Sequence, residues 1–250
     1  MSSIAISLIV FACVFGGALA GILLHAVLPA HHLNAESKAI VKLGMGLVGT
    51  MAALVLGLLV ASAKGSYDTQ SAEVTQLAAN VALLDRVLAH YGPEAKKARD
   101  LLRGSVSRVL DQIWSKHSAG PVPLAPSAGG ELLLDKIQGL APTNDAQRLL
   151  KGQALSIAMD LARTRWLMYA QEATSISTPL LVVLVLWLTV IFVSFGLFAP
   201  FNATVVVSLL VAALSVSSAI FLILEMYTPY TGTIQISSAP LRAALAHLGQ

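Results

Sequence analysis

The sequence predicts an all-α membrane protein with four transmembrane helices and a helical insert between the second and third. Four apolar runs lie in two pairs near the ends of the chain, at residues 4–28, 40–63, 179–198 and 204–224. Each run reaches the ~20 residues that a helix needs to cross a bilayer core of ~30 Å. The composition agrees, because 56% of residues are hydrophobic and 12% are charged, against roughly 25% charged in soluble domains.

The first run, Ile4–Leu28, contains no Asp, Glu, Lys or Arg, and its one imidazole is that of His25. Within it, Ala18-Leu19-Ala20 resembles a signal-peptide cleavage site. However, Met1-Ser2-Ser3 carries no Lys or Arg, and the apolar run exceeds the usual length of a signal-peptide core. We therefore expect a retained first transmembrane helix.

The second run carries small residues at intervals of three and four, so they share one helix face: Gly46, Gly49, Ala53, Gly57 and Ala61. In lipid, small residues let helix backbones approach closely. The same face leaves space for a lumen if helices surround a pore. The spacing therefore leaves two interpretations open, a helix-packing seam or a pore-facing surface.

Two further runs carry similar patterns. The first has a GxxxG motif at Gly17 and Gly21, and the fourth has a stripe of Ser208, Ala212, Ser215 and Ala219. Such faces predict a compact bundle. The third run, 179–198, is rich in Leu and Val and is then expected to face lipid.

Lysines lie at the start of the second run. Lys38 precedes it and Lys42 lies just inside it. Lys42 either extends its amine to the membrane surface or, repeated around an oligomer, forms a ring that attracts anions at a pore mouth.

Residues 64–178 are the predicted cytoplasmic helical domain. Of the 16 Lys and Arg, 13 lie between Lys64 and Arg165, and 11 of the 13 acids lie between Asp68 and Glu172. The segment is therefore mixed in charge and exposed to water. Two apolar seams meeting at Gly92-Pro93 predict two packed helices. The seam residues are Val74, Leu77, Val81, Leu84, Leu88 and Tyr91, then Ala98, Leu102, Val106, Val109 and Ile113.

The rest of the insert alternates between breakers and helices. Residues 118–130 hold three prolines and three glycines and predict a linker. Residues 131–140 form a short predicted helix, and Asn144 or Asp145 caps a longer one that ends near Glu172.

The orientation follows from Lys64, Arg163 and Arg165, which flank the second and third runs, because cytoplasmic loops are rich in Lys and Arg. We predict a multi-pass protein of the bacterial inner membrane with the insert and both termini in the cytoplasm. The predicted order is a first transmembrane hairpin (1–63), the helical domain (64–178), a second hairpin (179–226) and a cytoplasmic tail (227–250).

The tail contains enough apolar residues to dock on the helical domain. Residues 229–232 read as a turn, and 233–236 alternate like a short strand. Pro240 then marks the start of a last helix.

No pattern in the sequence indicates catalysis or a cofactor. GxSxG, HExxH, P-loop and CxxC motifs are absent, and no carboxylate pair lies in an apolar run to relay protons. Cys13 is the one cysteine, which excludes an intrachain disulfide. The histidines His25, His31 and His32 could bind a metal, but Glu36 is the one carboxylate at a suitable spacing in the sequence. We therefore predict no enzyme activity, metal or cofactor. The net charge of +3 gives no signal of nucleic-acid binding.

Four segments together resemble a mainly bacterial membrane family described as containing a bestrophin-like domain, and they follow the family's order along the chain. They are residues 54–63, 84–94, 229–232 (with Pro229, Tyr230 and Gly232) and 237–242 (with Pro240). The resemblance leads us to expect Asp at Tyr227 and Phe at Tyr230, so this chain departs from the pattern at both.

True bestrophins are oligomeric anion channels with four membrane helices, a large cytosolic part and a pore lined by the second helix. The resemblance therefore implies a similar layout here. Two departures weaken it: the second run has no phenylalanine for an aromatic neck, and no dense acidic stretch follows the fourth run. Calcium gating is therefore not carried over.

From these features we predict a homo-oligomer in the lipid bilayer that conducts ions passively, with small anions preferred. The alternative is a non-conducting membrane scaffold or sensor that binds a partner through its cytoplasmic helices. The apolar seam between Val74 and Tyr91 is the feature in favour of that alternative.

Overall fold

The computed structural model describes residues 2–29, 35–114, 128–172, 178–230 and 232–249. Every regular element in these ranges is helical, which confirms the all-α prediction. A single 3-10 turn, Pro93–Ala95, joins the second helix to the third. The α-helices are α1 Ser3–Val27, α2 Ala35–Tyr91, α3 Lys96–Trp114, α4 Ala128–Gln138, α5 Asp145–Glu172, α6 Thr178–Phe198, α7 Ala203–Met226 and α8 Ala239–His247.

Four helices in the described ranges, α1, α2, α6 and α7, are long and apolar enough to cross a membrane. Local side-chain caps define where two of them begin. The hydroxyl of Ser2 accepts a hydrogen bond from the Ala5 N–H at 3.3 Å. The amide oxygen of Asn202 accepts one from the Val205 N–H at 2.8 Å. Each cap satisfies a backbone donor that the first helical turn leaves without an intrahelical partner.

The second apolar run and the seam that begins at Val74 belong to one uninterrupted helix, α2. The stretch between them contains a single breaker, Gly65, and no proline. One glycine costs a helix only about 1 kcal/mol relative to alanine, so the helix continues. It ends at Gly92, whose φ of 123° is readily adopted by glycine alone.

The chain divides into two compact units, each with its own core. The first comprises Met1–Ser66 and Ser175–Tyr227, and the second comprises Tyr67–Thr174 and Thr228–Gln250. Helix α2 therefore contributes its first part to one unit and its last part to the other.

In the first unit, α1 and α6 cross at almost backbone contact. A Cβ atom at Gly17 would lie 3.0 Å from the Thr189 methyl group, and one at Gly21 would run into the Val193 carbonyl. From the other side, a Cβ atom at Gly196 would run into the Ala18 carbonyl. The GxxxG motif of α1 is therefore a packing seam, as such motifs are in many membrane proteins.

The third apolar run was expected to be the one of the four that faces lipid, but it is not the least packed within the chain. In the most apolar 18-residue stretch of α6, 33% of the residues are buried inside the chain, against 11% in the corresponding stretch of α2. The reason is Gly196, which sequence analysis passed over. It allows α1 to approach α6 closely, and large side chains such as Leu184 and Phe192 fill the space beside the crossing.

The second unit packs the end of α2 against α3, α4, α5 and α8 around one core. The predicted seams are buried there, with Leu84 and Leu88 at 0% exposure. Asn144 caps α5 as predicted, because its side chain accepts a hydrogen bond from the Gln147 N–H at 2.8 Å. Of the predicted linker, residues 118–127 lie outside the described ranges. Residues 128–130 belong to α4, which therefore begins three residues before the predicted helix at 131.

The tail docks on this core through its turn and its last helix. The Pro229 carbonyl accepts a hydrogen bond from the Ile236 N–H at 2.9 Å. The Trp114 indole donates to the Ile236 carbonyl at 2.8 Å. The strand expected at 233–236 is wrong: these residues are irregular, because the turn and the indole satisfy the Ile236 backbone groups that a strand partner would otherwise engage.

Candidate functional site

A cavity of about 610 Å³ lies in the first unit, between the start of α2, the end of α6 and the start of α7. It is far larger than the ~10–15 Å³ of probe volume that holds one water molecule. Three of the predicted site residues line it, Lys42, Gly46 and Gly49. Its other polar lining residues are Lys38, Ser194, Thr204 and Ser208.

The two lysines of the cavity differ in how their amines are held. The Lys38 amine donates a hydrogen bond to the Phe198 carbonyl at 3.2 Å and lies 5.9 Å from the centroid of the Phe198 ring. A cation at this place suits the negative end of the α6 dipole. The Lys42 side chain is exposed and is available to a solute in the cavity.

The small-residue face of α2 is open within the chain. At Gly46, Gly49 and Gly57 an added Cβ atom would meet no atom of the described segments within 4 Å. Ala53 and Ala61 on the same face are exposed. Gly57, Ala53 and Ala61 do not line the cavity but continue its face along the helix. The face is therefore not a packing seam between helices of one chain.

The stripe on α7 is open in the same way. Ser208, Ala212 and Ser215 are exposed, and Ala219 is partly exposed. The Ser208 hydroxyl donates to the Thr204 carbonyl at 2.8 Å, and the Ser215 hydroxyl donates to the Val211 carbonyl at 2.9 Å. Such bonds within the helix satisfy each hydroxyl without a partner helix.

Glycine spacing on α2 also happens to match a nucleotide-binding fingerprint. Gly44, Gly46 and Gly49 follow the GxGxxG pattern, which sequence analysis did not recognise. All three lie inside a helix, whereas a dinucleotide site needs these glycines at a turn between a strand and a helix. The pattern therefore does not indicate a dinucleotide site.

The predicted tail residues lie in the second unit, apart from the cavity, and have structural contacts. Tyr230 is buried, with its ring edge-on to Trp114 at a centroid distance of 6.1 Å. Gly232 has a φ of 112°, and Pro240 lies in the first turn of α8. The Pro229 carbonyl accepts the hydrogen bond from the Ile236 N–H described above. These residues shape the turn and start the helix that dock the tail.

The most tightly held charges of the second unit, Asp85 and Arg99, were not among the predicted site residues. Asp85 is 3% exposed, and Arg99 donates two hydrogen bonds to it at 2.7 and 2.8 Å. The backbone N–H of Gly249 donates a third at 3.2 Å. Arg99 therefore does not lie on a solvated face of α3. One signal was available: Asp85 follows Leu84 directly and lies between two residues of the apolar seam, Val81 and Leu88.

These contacts determine the protonation of Asp85. Burial acts to raise the pKa of its carboxyl. The hydrogen bonds from Arg99 and Gly249 outweigh it, together with the positive charges of Arg99 and Arg86, and the pKa falls below the ordinary 3.8. Asp85 is therefore a charged, paired carboxylate at neutral pH.

The histidines give no metal site in the part of the chain that the structure describes. Among those residues no group of three or more His, Cys, Asp or Glu side chains is placed to hold a metal ion. The His25 Nδ1 atom lies 2.8 Å from the Leu197 carbonyl, which is a contact between α1 and α6. His31 and His32 lie outside the described ranges.

Comparison with known proteins identifies one family. The sequence model described as bestrophin-like domain matches residues 12–241, which covers all four apolar helices for most of their length and most of both units. No curated protein and no solved structure matches the chain.

Proposed function

Since this chain belongs to the bestrophin-like domain family, we propose that it is an oligomeric membrane channel that conducts ions passively and prefers anions. In this proposal α1, α2, α6 and α7 cross the bacterial inner membrane. The segment between α2 and α6 and both termini are cytoplasmic. The Lys64, Arg163 and Arg165 side chains beside the apolar runs support this orientation.

The observation that carries the proposal is the open small-residue face of α2. In a membrane helix, a face of small residues serves either close contact with another backbone or a water-filled space. Among the residues that the structure describes, no other backbone approaches Gly46, Gly49 or Gly57. Both remaining uses, contact between copies and a water-filled lumen, require an oligomer. The open stripe of α7, beginning at Ser208, offers a second face for contact between copies.

The charge distribution favours anions. The four apolar runs contain no Asp or Glu, so a path along them lacks the acidic rings that select cations. The cavity carries two cationic side chains, Lys38 and Lys42, at the start of α2. Rings of basic side chains around an axis lower the energy of an entering anion.

The scaffold alternative loses its supporting feature. Its seam between Val74 and Tyr91 is buried in the core of the second unit, so that face is not available to a partner. A substitution such as Leu84→Asp would therefore disrupt the fold of this unit. If such a variant lost a binding partner in a pull-down experiment, the loss would reflect that disruption and would not identify a docking surface.

The direct test is ion flux through purified full-length protein in liposomes. We expect chloride and nitrate gradients to dissipate faster than potassium gradients in protein-containing vesicles. Empty vesicles from the same lipid set the baseline. Vesicles that stay tight to all these ions at several protein densities would contradict the proposal.

Reversing one cavity charge should change selectivity. With Lys42→Glu we expect the anion-to-cation permeability ratio to fall several-fold, because a carboxylate would replace the free cation of the cavity. Reversal potentials in a bilayer with asymmetric salt measure the ratio. Lys42→Gln is the matched control and should give an intermediate value. A ratio unchanged in Lys42→Glu would place Lys42 outside the conduction path.

Filling the open face should block conduction and leave the assembly intact. With Gly57→Leu we expect flux to fall by about tenfold at unchanged oligomer mass, measured by light scattering of the protein in detergent. Leu58→Phe, about 100° around the helix at an exposed position, is the control and should conduct normally. Dissociation of the oligomer by Gly57→Leu would instead assign this face to contacts between copies.

A further inference from the structure

A second cavity, of about 320 Å³, lies inside the second unit between α2, α3, α4, α5 and α8. Its size falls at the lower end of the ~300–1,000 Å³ typical of small-molecule sites. Aliphatic side chains from all five of these helices make up most of its wall, including Leu77, Leu102, Val106, Leu134, Leu161 and Leu241.

Three polar side chains break the aliphatic wall, Arg165, Ser105 and Glu131. A second guanidinium, that of Arg108, donates a hydrogen bond to the Ser105 hydroxyl at 3.3 Å and therefore lies at the edge of the cavity. Burial, and then the positive charge of Arg108, lower the pKa of Arg165. Arg165 and Arg108 thus bring two positive charges to this side of the cavity, where they stabilise an anion.

Glu131 is the opposing charge at this cavity. It is exposed, so water screens its repulsion of an anion. The guanidinium groups have the planar donor geometry that binds carboxylate and phosphate oxygens in pairs. The cavity thus combines an apolar interior with a cationic edge.

We propose that this cavity binds a single-chain amphiphile with an anionic head group. The acyl chain lies against the aliphatic wall, and the carboxylate or phosphate lies at Arg165 and Arg108. This ligand site is separate from the conduction path proposed above and does not depend on it. Since each buried methylene group contributes roughly fourfold in affinity, we expect affinity to rise with chain length until the chain fills the cavity.

Trp166 provides a reporter because it lines the cavity, and a bromine atom on a bound chain quenches indole fluorescence. The experiment uses the full chain in nanodiscs of zwitterionic lipid, titrated with four brominated C12 compounds: the carboxylate, the phosphate, the alcohol and the trimethylammonium. We expect saturable quenching by the two anions, at least tenfold weaker binding of the alcohol, and no saturable quenching by the cation. The ratio between carboxylate and phosphate tells a free fatty acid from a phospholipid-like ligand.

Four variants separate this site from simple uptake into the bilayer. Trp166→Phe should remove the saturable component, and Ala162→Phe should abolish binding by filling the cavity. Arg165→Gln should weaken anion binding by about tenfold and leave the alcohol unchanged, whereas Glu131→Gln should strengthen anion binding slightly. Because Arg165→Gln keeps the cavity volume, it decides the question if Ala162→Phe does not fold. Equal saturable binding of the alcohol and the anions, or saturable quenching that persists in Trp166→Phe, would overturn the proposal.

Discussion

Adding one methyl group at Gly21 should destabilise the first unit severely. In Gly21→Ala the new Cβ atom would run into the Val193 carbonyl and lie 2.9 Å from the Leu197 nitrogen. Both are backbone atoms, so neither can move without shifting α6 as a whole. Overpacking in a core costs typically 1–3 kcal/mol, and rigid backbone places this case at the upper end. We expect a large fall in melting temperature and in the yield of monodisperse protein, measured by fluorescence size-exclusion after heating.

The same helix offers a matched control at Gly16. An added Cβ atom there meets nothing within 4 Å, and alanine stabilises a helix interior by about 1 kcal/mol relative to glycine. Gly16→Ala should therefore melt at the same temperature as the unchanged protein or slightly above it. Similar melting of the two variants would show that α1 and α6 do not cross at Gly21.

Removing the charge of Asp85 should have the largest effect in the second unit. Asp85→Asn keeps the shape of the side chain but leaves the Arg99 guanidinium without its bidentate partner. Breaking a buried ion pair costs about 3–5 kcal/mol, and we expect a value near the low end, about 3 kcal/mol, because the Arg99 side chain is 22% exposed. Urea unfolding followed by far-ultraviolet circular dichroism would measure it in detergent.

The effect of this substitution should depend on pH. The pKa of Asp85 is lower in the folded protein than the ordinary 3.8. The unfolded chain therefore binds the proton first as the pH falls. The stabilisation is fully present above about pH 4–5 and is lost on further acidification. The difference in stability between the unchanged protein and Asp85→Asn should thus be full at pH 7 and should shrink below about pH 4.

Two further variants test whether the pair itself is responsible. Asp100 forms an exposed pair with Lys96, and exposed pairs contribute little, so Asp100→Asn should change stability little. The double variant Asp85→Asn with Arg99→Met should recover part of the loss, because it leaves no buried charge without a partner. If Asp85→Asn were no worse than Asp100→Asn, the buried pair would not stabilise the fold.

Several features were predictable because they depend on local sequence alone. The end of α2 at Gly92-Pro93, the cap at Asn144 and the start of α8 at Pro240 all follow from backbone constraints of single residues. The apolar seams through Leu84 and Leu102 follow from helical period. The residues of the candidate site were less predictable. Lys42, Gly46 and Gly49 were proposed because of their spacing in the second run. Phe195 and Phe198 also line the cavity, but nothing distinguishes them from the other apolar residues of the third run.

The errors concern contacts between distant parts of the chain. The third run was expected to face lipid because Leu and Val dominate it. A single residue in it, Gly196, decides otherwise once Ala18 lies opposite. The role of Arg99 cannot be seen within α3, since its partner Asp85 comes from α2, 14 residues earlier. In both cases the information lies in a pairing, which the periodicity of one helix does not contain.

By itself the sequence determined the class of the protein, the number of long apolar helices and the residues that start or stop some of the elements. Hydrophobic length and backbone preference are properties of a segment and do not depend on its neighbours. Only the tertiary structure decided which small-residue face is used within the chain. Gly17 and Gly21 of α1 are closed by α6, whereas Gly46, Gly49 and Gly57 of α2 are left open. The two patterns are chemically alike, and only the position of a neighbouring backbone distinguishes them.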